Sequence, residues 1–366
     1  MAIFTDVFED VTKQGRKLQT SEYKKCGKYA IIDQGQNDIA GYTDEEAGVF
    51  SDVPAIVFGD HTRVVKYIDV PCYLGADGVK LLKAKIANPN YKYLYYALLH
   101  ADIPNTGYNR HFKWLKEINI NLPDGSKQQD IVESLDKVSN LISLRKQQLA
   151  KLDELVKARF VELFGDLHST NFPKCKMRDV CGIKHGYAFS GEFFTEEDNN
   201  ILLVTPGNFK VGGGFQEKKC KFFTGEYSKE YVLNGGDLIV TMTDLSKNMD
   251  TLGYSAIVPC TDRVYLHNQR IGLFVDLSEK IKRVFLMYFM QTTEYRDSII
   301  ASATGSTVHH TSPSKILDCD VFVPPIELQN QFAAFVKQND KSKLAIQQSL
   351  DKLETLKKSL MQKYFG

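Results

Sequence analysis

"NINLPDGSKQQDI" runs from Asn119 to Ile131, and "DVFVPPIELQNQF" runs from Asp320 to Phe332. With an offset of 201, Leu122 meets Val323, Pro123 meets Pro324 and Gln128 meets Gln329. Each stretch is an extended apolar run that ends in proline and then opens a long, glutamine-rich helical pattern. A chain that writes strand, turn and helix twice is to be read as a repeat before anything else.

Downstream of each stretch the apolar residues recur with the 4, 3, 4, 3 spacing of a heptad seam. The first seam is Ile131, Leu135, Val138, Ile142, Arg145, Leu149, Leu152, Val156, Arg159 and Leu163, eight of ten apolar. The second is Phe332, Val336, Asn339, Lys343, Ile346, Leu350, Leu353, Lys357, Leu360 and Tyr364, seven of ten apolar. Compared by the offset, Arg145 and Arg159 correspond to Ile346 and Leu360, while Asn339, Lys343 and Lys357 correspond to Val138, Ile142 and Val156. The two helices therefore read as complementary to each other. They close on the same letters, "LFG" at Leu163–Gly165 and "YFG" at Tyr364–Gly366, with glycine where a helix stops. At ~1.5 Å per residue, a helix of about 35 residues spans roughly 50 Å.

A globular segment of similar size precedes each helix. Both segments mix short β-rich runs ("KYAIID", "PAIVFGD", "DLIVTMT", "YSAIVP") with one apolar helical stretch each, "NYKYLYYALLHA" and "IKRVFLMYFMQTTEYRDSII". The order is α/β domain at 1–125, helix at 126–166, α/β domain at 167–325, helix at 326–366, with an approximate twofold relation between the halves. The halves match best along the helices and worst in the domains.

Bulk composition excludes several classes. Of 366 residues, 43% are apolar and 25% charged, an ordinary globular balance. No apolar run approaches the ~18 residues of a membrane helix. The first residues lack the layout of a secretory signal, and seven scattered cysteines suit reduced thiols, so the chain reads as cytoplasmic. A net charge of +1 is low for a free-standing nucleic-acid binder. Positive charge must then be local, or a partner must supply it.

No catalytic or metal-binding constellation stands out. "NPNY" at Asn88–Tyr91 is one letter from an amino-methyltransferase motif, but no glycine-rich cofactor turn precedes it, and it reads as the start of a helix. "VGGGFQ" at Val211–Gln216 lacks the spacing of a phosphate-binding loop. "QEKK" at Gln216–Lys219 holds a Glu-x-Lys triplet without a partner aspartate. There is no Cys-x-x-Cys pair, His309–His310 has no third ligand nearby, and no Gly-x-Ser-x-Gly elbow occurs.

What remains are polar loops. "GDHTRVVKY" carries His61, Arg63 and Lys66. "GYNRHFKW" carries Asn109, Arg110, His111 and Lys113. "HNQRIG" carries Asn268, Gln269 and Arg270, and "TGSTVHH" carries Ser306, Thr307 and His309. Arginine reads guanine bidentately and Asn or Gln reads adenine, while hydroxyls and loop N–H groups position phosphates. A solvated turn explains any one of these loops. Their recurrence ahead of the proline-ending strand in both halves favours recognition.

These stretches resemble the DNA-specificity subunits of type I restriction-modification systems along essentially the whole chain. In the first half the likeness is carried by "YAIIDQGQNDIAGYTDE" (Tyr29–Glu45), "VFGDHTRVVKYID" (Val57–Asp69), "YLGADGVKLL" (Tyr73–Leu82) and "NRHFKWLKEINI" (Asn109–Ile120). In the second it is carried by "IKHGYAFSGEFF" (Ile183–Phe194), "GGDLIVTMT" (Gly235–Thr243), "NQRIGLF" (Asn268–Phe274), "SATGST" (Ser302–Thr307) and "VPPIELQNQF". The resemblance implies two target-recognition domains separated by a pair of long antiparallel coiled-coil helices. Each domain reads one half of a bipartite target in double-stranded DNA, and the helix pair sets the spacer. Two modification (methyltransferase) subunits carrying S-adenosylmethionine dock on it, and restriction subunits using ATP and Mg join the larger complex. The chain itself is then non-catalytic and holds no cofactor or metal. The repeated stretch would present the same docking surface twice. A coiled-coil scaffold without DNA recognition is the alternative.

Overall fold

The computed structural model describes every residue except Ala76, Tyr108 and Lys219, so the last letter of "QEKK" lies outside the described residues. Two long helices, Gly125–Phe164 and Ile326–Phe365, follow the repeated stretches. The chain gathers into two compact units, Met1–Gln148 with Ile346–Gly366, and Leu149–Ala345. Each unit thus contains one α/β body together with a part of each long helix.

The repeat extends into the sheets. In the first unit, a four-stranded antiparallel sheet has the order Phe8–Asp10, Val79–Ala84, Ala55–Gly59, Val65–Ile68. In the second, the order is Gly182–His185, Ile271–Val275, Leu238–Thr241, Ser255–Ile257, again antiparallel throughout. In both, the first strand pairs with the last, the last with the second, and the second with the third. A companion sheet places Tyr29–Ile32 parallel to Cys72–Leu74 in one unit and Ile201–Val204 parallel to Val264–His267 in the other. Even the two-stranded ribbons agree. Ala2 faces Ile120, and Cys175 faces Val321, which is Ile120 shifted by 201.

The glutamines of the repeated stretch share one bond. Gln128 Nε2 donates to the Pro123 carbonyl at 2.8 Å, and Gln329 Nε2 donates to the Pro324 carbonyl at 2.8 Å. Each ties the opening turn of its helix to the proline in the link that follows the strand, and the five-residue step from proline to glutamine is the same in both halves. At the far end of the first helix Gly165 has φ +70, and its N–H donates to Val161 O at 2.8 Å, a left-handed stop that any Cβ would strain.

All ten seam positions of each helix are buried or half-buried. In the first unit Ile131, Val132 and Leu135 join Met361 in the same core as Phe4, Phe58 and Tyr93. In the second, Val156, Phe160 and Phe164 share a core with Phe332 and Val336. Each body therefore packs directly on helix, and the helices are walls of the two cores. Direction follows from the contacts inside the second unit. Phe160 meets Phe332 with ring centroids 5.4 Å apart, while Asp153, earlier in its helix, meets Lys343, later in its own, at 2.5 Å. The helices run antiparallel.

Two sequence readings need correction. The offset comparison of seam positions is not the spatial pairing, because antiparallel helices meet in reverse order. Arg159 lies over the ring of Phe335 at 6.0 Å and pairs with Glu162 on its own helix. Second, the helical stretch of the second body is two helices, Arg283–Phe289 and Thr293–Ser302. Thr292 interrupts it by donating its hydroxyl to Phe289 O at 2.8 Å while its own backbone is extended.

Candidate nucleic-acid interface

In the first unit the strand Ala55–Gly59 is followed by Asp60, an acid that is 4% exposed. The Asp60 carbonyl accepts the His111 N–H at 2.7 Å and lies 3.0 Å from His111 Nδ1, and its Oδ1 accepts the Phe112 N–H at 2.7 Å. One residue thus joins the two polar stretches that sequence reading singled out. Gln34 adds a third loop. Its side-chain oxygen accepts the His61 N–H at 3.2 Å, and its carbonyl accepts the Thr62 hydroxyl at 2.6 Å.

The second unit builds its counterpart around residues 242–244. The Met242 N–H donates to Arg270 O at 2.9 Å, and its carbonyl accepts the Thr311 N–H at 3.0 Å. Thr243 and Asp244 then pair antiparallel with His310 and His309. "HNQRIG" and "TGSTVHH" are thereby both held by the segment Met242–Asp244. The "HGYAF" stretch closes in from the other side, with Tyr187 donating its N–H to His267 O at 2.8 Å and accepting the Gln269 N–H at 2.9 Å.

Gly186 makes that approach possible. A Cβ there would lie 2.3 Å from the carbonyl oxygens of both His267 and Asn268. Gly186→Ala is expected to cost about 1–3 kcal/mol, the range for overpacking a tight contact. A fall in the thermal midpoint checks it, and an unchanged midpoint would mean the backbone has room to give.

The predicted residues separate into two groups. Asn109, Arg110, Lys113, Gln269, Arg270, Ser306 and Thr307 face solvent, with His61 and His309 half-buried. Asn109 braces its own turn through Thr106 O at 2.5 Å, and the Lys113 ammonium sits 4.1 Å over the Trp114 ring. The others are turned inward. Lys66 is 4% exposed, with Nζ 2.5 Å from Asn37 O and 3.5 Å from Asp33, and burial pulls its ammonium below the ordinary value although Asp33 opposes this. His111 is fully buried on Asp60 beside Trp114. Asn268 is 8% exposed and accepts the Arg270 N–H at 3.0 Å, and Arg63, at φ +61, reaches Ile103 O at 3.0 Å. These four are braces that shape the loops. Residue types in loops do not show that a polar atom of each of these side chains is already engaged within the protein, although His111 Nε2 is buried with no partner among the described residues. Sequence reading also missed Asp60 and Asp244, whose signal was available as an acid closing the apolar runs "AIVFG" and "LIVTMT".

The remaining chemistry is spare. Among the described residues no group of three or more His, Cys, Asp or Glu could hold a metal ion, and no helix is long and apolar enough to cross a membrane. "NPNY" is the start of a helix, Asn90 capping Tyr91–His100 by accepting the Tyr93 N–H at 3.1 Å.

A family model described as the type I restriction modification DNA specificity domain matches residues 4–154 and again 170–357. The chain belongs to this family. The two matches fall on the two halves of the repeat. Among curated proteins, the type I restriction enzyme MjaVIII specificity subunit of Methanocaldococcus jannaschii is 25% identical over 296 residues, covering 74% of this chain and 68% of that one. Among solved structures, the type I restriction-modification S subunit from M. genitalium superposes with TM-score 0.60 at 16% identity, covering all of this chain and 95% of that one. A structure solved for complex assembly and conformational transition of the type I R-M system gives TM-score 0.53 at 14% identity, with 100% and 95% covered. At these identities the structural likeness speaks for the fold of a specificity chain.

Proposed function

We propose that this specificity chain is the non-catalytic DNA-recognition subunit of a type I restriction-modification complex. Each body reads one half of a bipartite target, the helix pair sets the spacer, and the repeated elements dock two modification subunits. S-adenosylmethionine belongs to those subunits, and ATP and Mg to the restriction subunits. The observation that carries this reading is one fold written twice with two different sets of exposed loop residues. The shared order of the four-stranded sheets and the repeated helix openings suit two copies of one partner, whereas Asn109, Arg110 and Lys113 against Gln269, Arg270, Ser306 and Thr307 suit two unlike half-sites.

The test is a methylome. The chain is co-expressed with its modification subunit in a methylation-free host and the modified bases are sequenced. A single two-part motif with a fixed gap, present only with this chain, is expected. Arg110→Ala should then weaken or relax one half-site and Arg270→Ala the other, each by about 1–3 kcal/mol if the guanidinium reads a base. Methylation independent of this chain, or a stable complex with no two-part motif, would overturn the proposal in favour of a scaffold without DNA recognition.

A further inference from the structure

One loop of the second unit is absorbed by none of this. In the first unit the hairpin from Ala55–Gly59 to Val65–Ile68 turns through residues 60–64, whereas the matching hairpin from Leu238–Thr241 to Ser255–Ile257 carries residues 242–254. The extra segment is held from beneath. Asp244 is 4% exposed, and its Oδ1 accepts the Ser246 N–H at 2.6 Å. Its Oδ2 accepts the Thr251 N–H at 2.5 Å, the Thr251 hydroxyl at 2.7 Å and the Leu252 N–H at 3.0 Å. Burial works against the charged carboxylate, yet these donors outweigh it and hold the acid below its ordinary value. Ser246 Oγ accepts the Asp250 N–H at 2.8 Å. Arg296, 8% exposed with its guanidinium 4.0 Å over the Tyr254 ring, donates to Met249 O at 2.8 Å.

The fastened backbone presents three side chains outward. Leu245 is 69% exposed, and Lys247 and Asn248 are exposed with no partner among the described residues. The loop leaves the strand at Asp244, which pairs with His309, two residues after Met242 bonds Arg270. It therefore springs from the candidate interface itself.

We propose that Leu245, Lys247 and Asn248 form a specificity-determining finger that reads base edges in the half-site of the second unit. This rests on the function proposed above and deepens it. The chemistry is that of base-edge readout: an apolar group for the thymine methyl, an amide for adenine, an ammonium for guanine. A loop fastened beforehand loses little conformational freedom on binding. The asymmetry selects DNA over protein as the ligand. Two copies of one modification subunit need a surface that both units share, and this segment exists in one unit only. Asp244 is a positioning residue for the finger.

The experiment uses the full complex and the same methylome readout. Leu245→Ala and Asn248→Ala are each expected to relax discrimination by about ten-fold or more at positions within one half-site. The other half-site, the gap and co-purification of the modification subunit stay as in the wild type. Asp244→Asn should relax the same positions, whereas a purely structural role would lower methylation at every site without changing the motif. All three side chains of the finger are exposed, so folding is expected to survive, and Lys247→Ala provides a third variant if either of the others fails. An unchanged motif in Leu245→Ala and Asn248→Ala overturns the finger. So does loss of the modification subunit, which would make the loop a protein contact. A wild-type complex that shows no two-part motif overturns instead the underlying reading.

Discussion

Gln329→Leu is expected to destabilise the second unit by about 3 kcal/mol or more, while Gln128→Leu, the same change 201 residues earlier, costs the first unit about 1 kcal/mol. The difference lies in what surrounds the two amides. Gln329 is fully buried; its oxygen accepts the Lys282 N–H at 2.8 Å, and its nitrogen donates to Lys280 O and to Pro324 O, both at 2.8 Å. Leucine fills a similar volume but leaves three groups without their partner: the buried carbonyl of Pro324 and the part-buried Lys282 N–H and Lys280 carbonyl. A buried orphan costs about 1–3 kcal/mol, and the two part-buried ones add to it. Gln128 is half-buried, and among the described residues its side chain bonds to Pro123 O alone. Water can take over much of that role when it is lost. Denaturant midpoints of the two variants measure the contrast, with the fluorescence of Trp114, the only tryptophan, following the first unit and circular dichroism following both. Equal shifts would mean that the clip acts only through its proline bond, and that the contacts to residues 280 and 282 add nothing.

How far the sequence could be read depended on whether its signals were local. The heptad spacing put every seam residue on the inner face, from Ile131 to Tyr364, because helical period depends on spacing alone. The proline-to-glutamine distance held for the same reason. Sheet order was invisible, since buried runs such as "AIVFG" and "LIVTM" say that a strand is covered on both sides but not which strand lies beside it. The shared order of the two four-stranded sheets emerges only from pairing across long sequence distances. The burial of some candidate interface residues was hidden for the same reason. Arg110 and Arg270 were legible as exposed cations in loops. Lys66 and His111 look no different in the sequence, yet each is engaged by a residue far along the chain, Lys66 by Asp33 and Asn37 and His111 by Asp60. Thr292 shows a subtler miss, since one hydroxyl bond to a neighbouring carbonyl splits an apolar run that periodicity alone would carry through.

Phe332→Ala is expected to cost about 3–5 kcal/mol, the range for deleting a buried phenylalanine, and Phe332→Leu less than about 1.5 kcal/mol if the pocket repacks. Phe332 has no exposed surface and stands edge-on to three rings: Phe160 at 5.4 Å, Phe164 at 5.5 Å and Tyr288 at 5.2 Å. Those rings come from the central helix and from the helix Arg283–Phe289, so one side chain of the C-terminal helix joins three elements of its unit. Edge-to-face pairs add about 0.5–1.5 kcal/mol beyond burial, so the alanine variant loses both packing and geometry. The position 201 residues earlier is Ile131, 4% exposed, in a core where the helices contribute Val132, Leu135 and Met361. Ile131→Val should cost only about 0.5–1.5 kcal/mol there. Thermal or urea unfolding gives all three values. A loss below about 1 kcal/mol for Phe332→Ala would mean that the surrounding rings collapse into the space, and that the helices are held to the second body by other contacts. A loss in the expected range would make the aromatic cluster the principal attachment of both helices to the body that carries Asp244 and its loop.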